Sequence, residues 1–179
     1  RNTSYIGALA ATCENCDVSG SNLRVLLDYS GQLPLSSSTN RPTYAGGLFG
    51  ISFNGFIHVR DTVITAQLNT GYDRGVIIGA INGEASANSS GYPQPAPELI
   101  VENVRILNSD LSLAPGARSY TAGAVAGRAS SATRISRTLV RDTIVSANSQ
   151  AGGLVGGGHG IVDRTALENV MVRAGDVVG

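Results

Sequence analysis

The chain has 179 residues, 42% of them apolar, with 13 basic and 13 acidic side chains. That length suits one domain with a sizeable core, and the balanced charge offers no electrostatic footing for nucleic acid or an anionic membrane. All 13 basic residues are Arg, Trp is absent and 23 residues are Gly, which excludes lysine chemistry and predicts a thin interior of small and short aliphatic side chains.

Two short motifs alternate along the chain. The first, Gly-small-aliphatic-x-Gly, reads from Gly7, Gly46, Gly75, Gly123 and Gly152, the first copy ending in Ala11. The second follows each first, as Cys13-Glu14-Asn15-Cys16, Val59-Arg60-Asp61-Thr62, Val101-Glu102-Asn103-Val104, Val140-Arg141-Asp142-Thr143 and Leu167-Glu168-Asn169-Val170. The steps from Gly46 to Gly75 and from Gly123 to Gly152 are equal, and the other two are longer. The shorter step sets a basic unit of roughly 30 residues, within the usual range of solenoid repeats, and insertions lengthen the rest. Gly46 and Gly123 are as far apart as Gly75 and Gly152, which reads as a duplicated two-unit block.

After each second motif, apolar or small residues recur at every other position, as in Thr62, Ile64 and Ala66 or Thr143, Val145 and Ala147. That is the period of a strand with one buried face, and β-branched residues favour it. Short strands joined by Gly and Asn bends, each unable to bury its own face, predict stacking. The expected fold is all-β: a parallel β-helix (β-solenoid) of about five coils with loop insertions, spanning 1–179 as one domain. The chain starts at Arg1 and stops at Gly179 with no cap-like end, so it reads as a segment of a longer protein.

Aligning the second motifs predicts ladders. One column holds Glu14, Arg60, Glu102, Arg141 and Glu168, alternating in sign; the next holds Asn15, Asp61, Asn103, Asp142 and Asn169, which suit a bend that bonds its own backbone and its neighbour. Tyr5, Tyr44, Tyr72 and Tyr120 precede the first motif and are expected to form an aromatic column, either a packing ladder or a sugar-stacking platform. Insertions run roughly from Asp28 to Thr43, Gly83 to Glu98 and Leu113 to Thr121. They read as surface loops, with Tyr92 in the stiff Pro-rich stretch of the second.

Cys13 and Cys16 read either as buried core residues or as a local disulfide, which an oxidising compartment would permit. No metal site is expected, because His58 and His159 are the remaining soft ligands and lie far apart. The Gly-rich stretch from Gly152 lacks the Lys of a phosphate loop, and no cofactor is expected. Asn2-Thr3-Ser4 and Asn88-Ser89-Ser90 match the glycosylation sequon.

The motifs Ala45-Gly46-Gly47-Leu48-Phe49-Gly50 and Ala151-Gly152-Gly153-Leu154-Val155-Gly156, each followed by a Glu-Asn-Val-x-Val-type strand, resemble the Gly-Leu-Val-Gly ("GLUG") repeats of bacterial surface proteins. The resemblance implies a right-handed β-helix in a secreted or cell-surface adhesin and carries over no catalytic residue. The function expected is a structural or adhesive module that is extracellular or on the cell surface. Its expected partners are glycans, a surface protein, or neighbouring solenoid coils of the same or another chain, with no nucleic acid and no membrane span in this segment. Two alternatives stand beside it: a polysaccharide lyase or hydrolase using Asp61 and Asp142 on either side of Asn103, and a filament unit stacking end to end.

Overall fold

A computed structural model describes residues 5–29, 43–52, 54–70, 76–85, 97–112, 121–175 and 177–178. The chain winds through coils of four strands. The first coil holds β1 (Tyr5–Gly7), β2 (Ala10–Cys13), β3 (Cys16–Ser19) and β4 (Asn22–Tyr29); the second holds β5 (Thr43–Gly46), β6 (Phe49–Ser52), β7 (Phe56–Arg60) and β8 (Val63–Thr70). The third has β9 (Val76–Gly79), β10 (Asn82–Ala85), β11 (Glu98–Glu102) and a fourth side split into β12 (Arg105–Leu107) and β13 (Asp110–Leu111). The fourth has β14 (Thr121–Gly123), β15 (Ala126–Ala129), β16 (Thr133–Ser136) and β17 (Leu139–Ser146). The fifth has β18 (Gln150–Gly152), β19 (Val155–Gly158), β20 (Ile161–Asp163) and β21 (Ala166–Arg173), and β22 (Val177–Val178) begins another turn beside β18.

Every strand pairs in parallel with its equivalent one coil away, giving four long sheets. The first side runs β1-β5-β9-β14-β18-β22, the second β2-β6-β10-β15-β19 and the third β3-β7-β11-β16-β20, while the fourth stacks β4, β8, β12 with β13, β17 and β21. This is the parallel β-solenoid expected from the repeats.

Burial follows strand alternation. On the third side β7 and β11 bury every second residue, with Ile57, Val59, Leu99, Val101 and Ile135 at 0–1% exposure. On the fourth, Ile64, Ile106 and Val140 share one inward row. The first two sides fold back on each other closely. A Cβ added at Gly123 would strike the carbonyl oxygen of Ala126 and lie 2.6 Å from the backbone nitrogen of Gly156, so only glycine lets these strands approach.

Register corrects the repeat alignment. Gly7, Gly46, Gly79, Gly123 and Gly152 share one column. The third copy of the first motif is therefore Gly79-Ala80-Ile81-Asn82-Gly83 rather than the copy read from Gly75. Gly79 stands closer to Gly152 along the chain than Gly46 does to Gly123, so the equal spacing behind the two-unit duplication does not hold. The second insertion also begins later than expected, because Gly83, Glu84 and Ala85 belong to β10.

Between the third and fourth sides every coil turns through one left-handed residue: Gly20, Asp61, Asn103, Arg137 and Arg164, with φ from 46° to 64°. Gly, Asn and Asp tolerate this conformation. The next residue is Ser or Thr in four of the five coils. Ser21, Thr62, Thr138 and Thr165 each donate a hydroxyl hydrogen bond to the carbonyl two residues back, at 2.7–3.2 Å. Inter-coil backbone bonds continue through the bend, as from Asp61 N–H to Glu102 O and from Arg105 N–H to Thr62 O.

Coils three to five use the same bend a second time, within the fourth side, at Asn108, Asp142 and Asn169 (φ 47–50°). The first two coils run straight there. Gln67 pairs with Asp110 while Val63 pairs with Arg105, so coil three carries one more residue than coil two over this stretch, a β-bulge. Ser109 repairs the ladder: its hydroxyl oxygen accepts from Ala66 N–H at 3.0 Å and donates to Leu107 O at 3.0 Å.

Candidate functional site

The chemistry-bearing residues singled out by sequence are distributed over several corners rather than gathered in one place. The single ladder from Glu14 to Glu168 and its Asx companion is corrected to three shorter groups. Glu14 and Asn15 turn the chain between β2 and β3. Arg60-Asp61 and Glu102-Asn103 share the bend between the third and fourth sides, where Arg60 stands beside Glu102. Arg141-Asp142 and Glu168-Asn169 share the second bend, where Arg141 stands beside Glu168. Within each pair the expected contact forms: Asn103 Nδ2 donates to Asp61 Oδ1 at 2.6 Å, and Asn169 Nδ2 to Asp142 Oδ1 at 2.7 Å. The arginines find other carboxylates than those expected. Arg60 pairs with Asp17 at 2.8 Å, Arg141 with its own neighbour Asp142 at 3.5 Å, and Glu102 receives Arg137. These pairs are 37–51% exposed, so each is worth little on its own.

Asp61 and Asp142 lie at different bends, each holding its own amide, and Asn103 does not stand between them. The two-carboxylate arrangement weighed for glycosidic bond cleavage is not assembled. Among the described residues no group of three or more His, Cys, Asp or Glu side chains is placed to hold a metal ion.

Tyr5 and Tyr44 stack with ring centroids 5.6 Å apart and planes 15° apart. The column stops there. The position after Tyr44 belongs to Ile77 and the next to Thr121, so the four-tyrosine column is corrected to a pair. Tyr72, Tyr92 and Tyr120 lie outside the described residues, as do most of the three insertions and both sequons.

Cys13 and Cys16 are joined as a disulfide, Cα atoms 6.2 Å apart, across the corner between β2 and β3. Of the two readings left open by sequence, the bridge is the one formed, and Cys13 is also buried at 5% exposure.

His58 has neighbours that sequence spacing does not indicate. On the outer face of the third side it lies 3.6 Å from Glu98 and packs against Phe56, ring centroids 4.4 Å apart. Only register reveals this, because Glu98 follows a long insertion and pairs beside Phe56. His159 is exposed, its backbone N–H bonded to Ala129 O. Comparison of the chain with protein-family models, curated proteins and solved structures finds no match to any of them.

Proposed function

We propose that the chain is a structural and adhesive repeat module of a secreted or cell-surface protein, a stiff solenoid stalk. The observation that carries this is the inter-coil register, which runs through all five coils with a single bulge between the second and third. Among the described residues all four sides, and the bends between the third and fourth sides, are tied to the next coil by parallel backbone hydrogen bonds. The polar residues most suggestive of chemistry are engaged in that register: Asp61 with Asn103 and Asp142 with Asn169. The Cys13–Cys16 disulfide suits an oxidising compartment, and the resemblance to Gly-Leu-Val-Gly surface repeats points the same way.

The test is retention of chain-coated beads on glycan- and protein-coated surfaces under shear, run beside an assay for cleavage of acidic and neutral polysaccharides. Retention without cleavage supports the reading. Cleavage of a polysaccharide overturns it in favour of the lyase or hydrolase alternative.

For this chain taken alone, end-to-end stacking of copies is a second reading, since the inward row of the fifth coil is exposed. Val162 and Leu167 are 52% and 49% exposed, where their partners one coil back, Ile135 and Val140, are 1% and 0%.

A further inference from the structure

The bulge that separates the straight first two coils from the kinked later ones also shapes the outer surface of the fourth side. Asn108 leaves the strand path in the left-handed conformation and is exposed. Beside that shoulder is a groove of about 520 Å³ running over β4 and β8, with Leu23 and Val63 among its lining and polar walls of Asn22, Arg24, Thr65 and Gln67. Its side chains come from adjacent strands in register: Asn22 pairs with Val63 and Arg24 with Thr65. Equivalent groups therefore repeat at the strand spacing of about 4.8 Å.

The lining carries one cation and no carboxylate. Among the described residues five arginines are held in ion pairs, to Asp17, Glu84, Glu102, Asp142 and Asp163. Arg24 makes no ion pair among the described residues and is exposed. A planar guanidinium with five donors suits a carboxylate or sulfate oxygen pair. The amides of Asn22, Gln67 and Asn108 and the Thr65 hydroxyl both donate and accept, as ring hydroxyls do.

We propose that this groove binds an anionic oligosaccharide lying across β4 and β8, its carboxylate or sulfate on Arg24 and its hydroxyls on Asn22, Thr65, Gln67 and Asn108. A saccharide fits better than an acidic peptide. The groove is on the sheet face, where β4 and β8 already pair with each other along all eight residues, so a peptide finds no backbone partners there. The inference deepens the adhesive reading and rests on it for biological meaning, yet the site is testable by itself.

The experiment is calorimetric titration of the whole chain with an oligogalacturonide, its methyl ester, a sulfated dextran oligomer and an acidic peptide, repeated with Arg24→Gln and Gln67→Ala. Both side chains point outward on the fourth side, and an unchanged thermal melt verifies the fold of each variant. The expected result is binding of a carboxylated or sulfated saccharide that weakens roughly tenfold or more in Arg24→Gln, the worth of one charge-assisted hydrogen bond. Methyl esterification should weaken the uronate to a similar degree, and Gln67→Ala should weaken it less. The two saccharides distinguish carboxylate from sulfate as the anion. Binding unchanged in Arg24→Gln, preference for the acidic peptide, or no binding to any probe would overturn the proposal. Bead retention that survives in Arg24→Gln would leave the adhesive module standing with its contact elsewhere, so the two readings fail separately.

Discussion

At the scale of single residues, the bends place the most demanding requirement on sequence, because each needs one position with positive φ. Asp142 meets it twice over: its short polar side chain tolerates φ of 50° and accepts from Asn169 Nδ2 at 2.7 Å. Asp142→Asn keeps the conformational tolerance and an oxygen acceptor. It should shift the urea midpoint by no more than the equivalent of about 0.5 kcal/mol. Asp142→Val loses both features, adds a β-branched residue in the left-handed region, and should cost about 2 kcal/mol or more. Equal midpoints for the two variants would remove the backbone argument. The Cys13–Cys16 bridge is a residue-scale device of another kind. It closes a very short loop at a corner of the first coil, so the loop-entropy model assigns it roughly 2 kcal/mol. Reduction should lower the urea midpoint accordingly; an unchanged midpoint would mean that the corner is held by packing alone.

At the scale of elements, the junction between coils two and three is the most informative place in the chain. Ser109 is 3% exposed and its hydroxyl is the acceptor for Ala66 N–H. Ser109→Ala leaves a donor without that acceptor at the bulge and should cost about 1–3 kcal/mol. Amide exchange at Ala66 should rise well above that of Ile64 on the same strand. Exchange at Ala66 as slow as in the wild type would show that another group satisfies it. The same junction explains what is legible in sequence and what is not. The strand period and the Gly motif identify a parallel solenoid of about five coils, because both report local geometry repeated in every coil. The ladder misaligns because Val-Arg-Asp-Thr marks a kind of bend and not its place in the coil. Arg60-Asp61-Thr62 turns the chain between the third and fourth sides, while Arg141-Asp142-Thr143 kinks it within the fourth. In coil four the bend equivalent to Asp61 is made by Ser136-Arg137-Thr138, with an Arg in the left-handed position, where Asx spacing gives no signal. The Ser or Thr after the bend is the better marker, since its hydroxyl recurs at both corners. Likewise Gly75 and Gly79 fit the spacing of the Gly motif and draw its third copy to the wrong place. Ala80 and Ile81, which match Ala124 and Val125 of the fourth coil, carry the correct register. The groove over β4 and β8 is invisible in sequence for the same reason: Arg24 and Thr65 become neighbours only through register across a long insertion.

At the scale of the whole molecule, stability is a matter of neighbours, because each coil buries its inward row only against the next. Ile135, in the fourth coil, is 1% exposed, so Ile135→Ala should cost about 2–5 kcal/mol. Val162 occupies the same row one coil later at 52% exposure, and Val162→Ala should cost well under half as much, since its transfer from water is already incomplete. What remains exposed there is a surface of defined shape: an inward row including Val162 and Leu167 and the free edges of β20 and β21, which template pairing. The opposite face of the stack offers a complement. Strands β4 and β21 are both eight residues long. Tracing register through the intervening strands puts Glu168 in the outward row of Arg24, and Met171 in that of Leu26. In a second copy stacked in that register, Arg24 would face Glu168, and Leu26 and Met171, 69% and 47% exposed, would face each other. The chain on its own should therefore self-associate head to tail as its concentration rises, seen as an increasing weight-average mass in sedimentation equilibrium. Val162→Asp with Leu167→Asp should hold it monomeric at the cost of a melting temperature lowered by several degrees, because both sites are half exposed. A wild-type chain that stays monomeric at high concentration would show that the row is too small to drive association. A double variant that unfolds would show that the fifth coil relies on these side chains for its own packing.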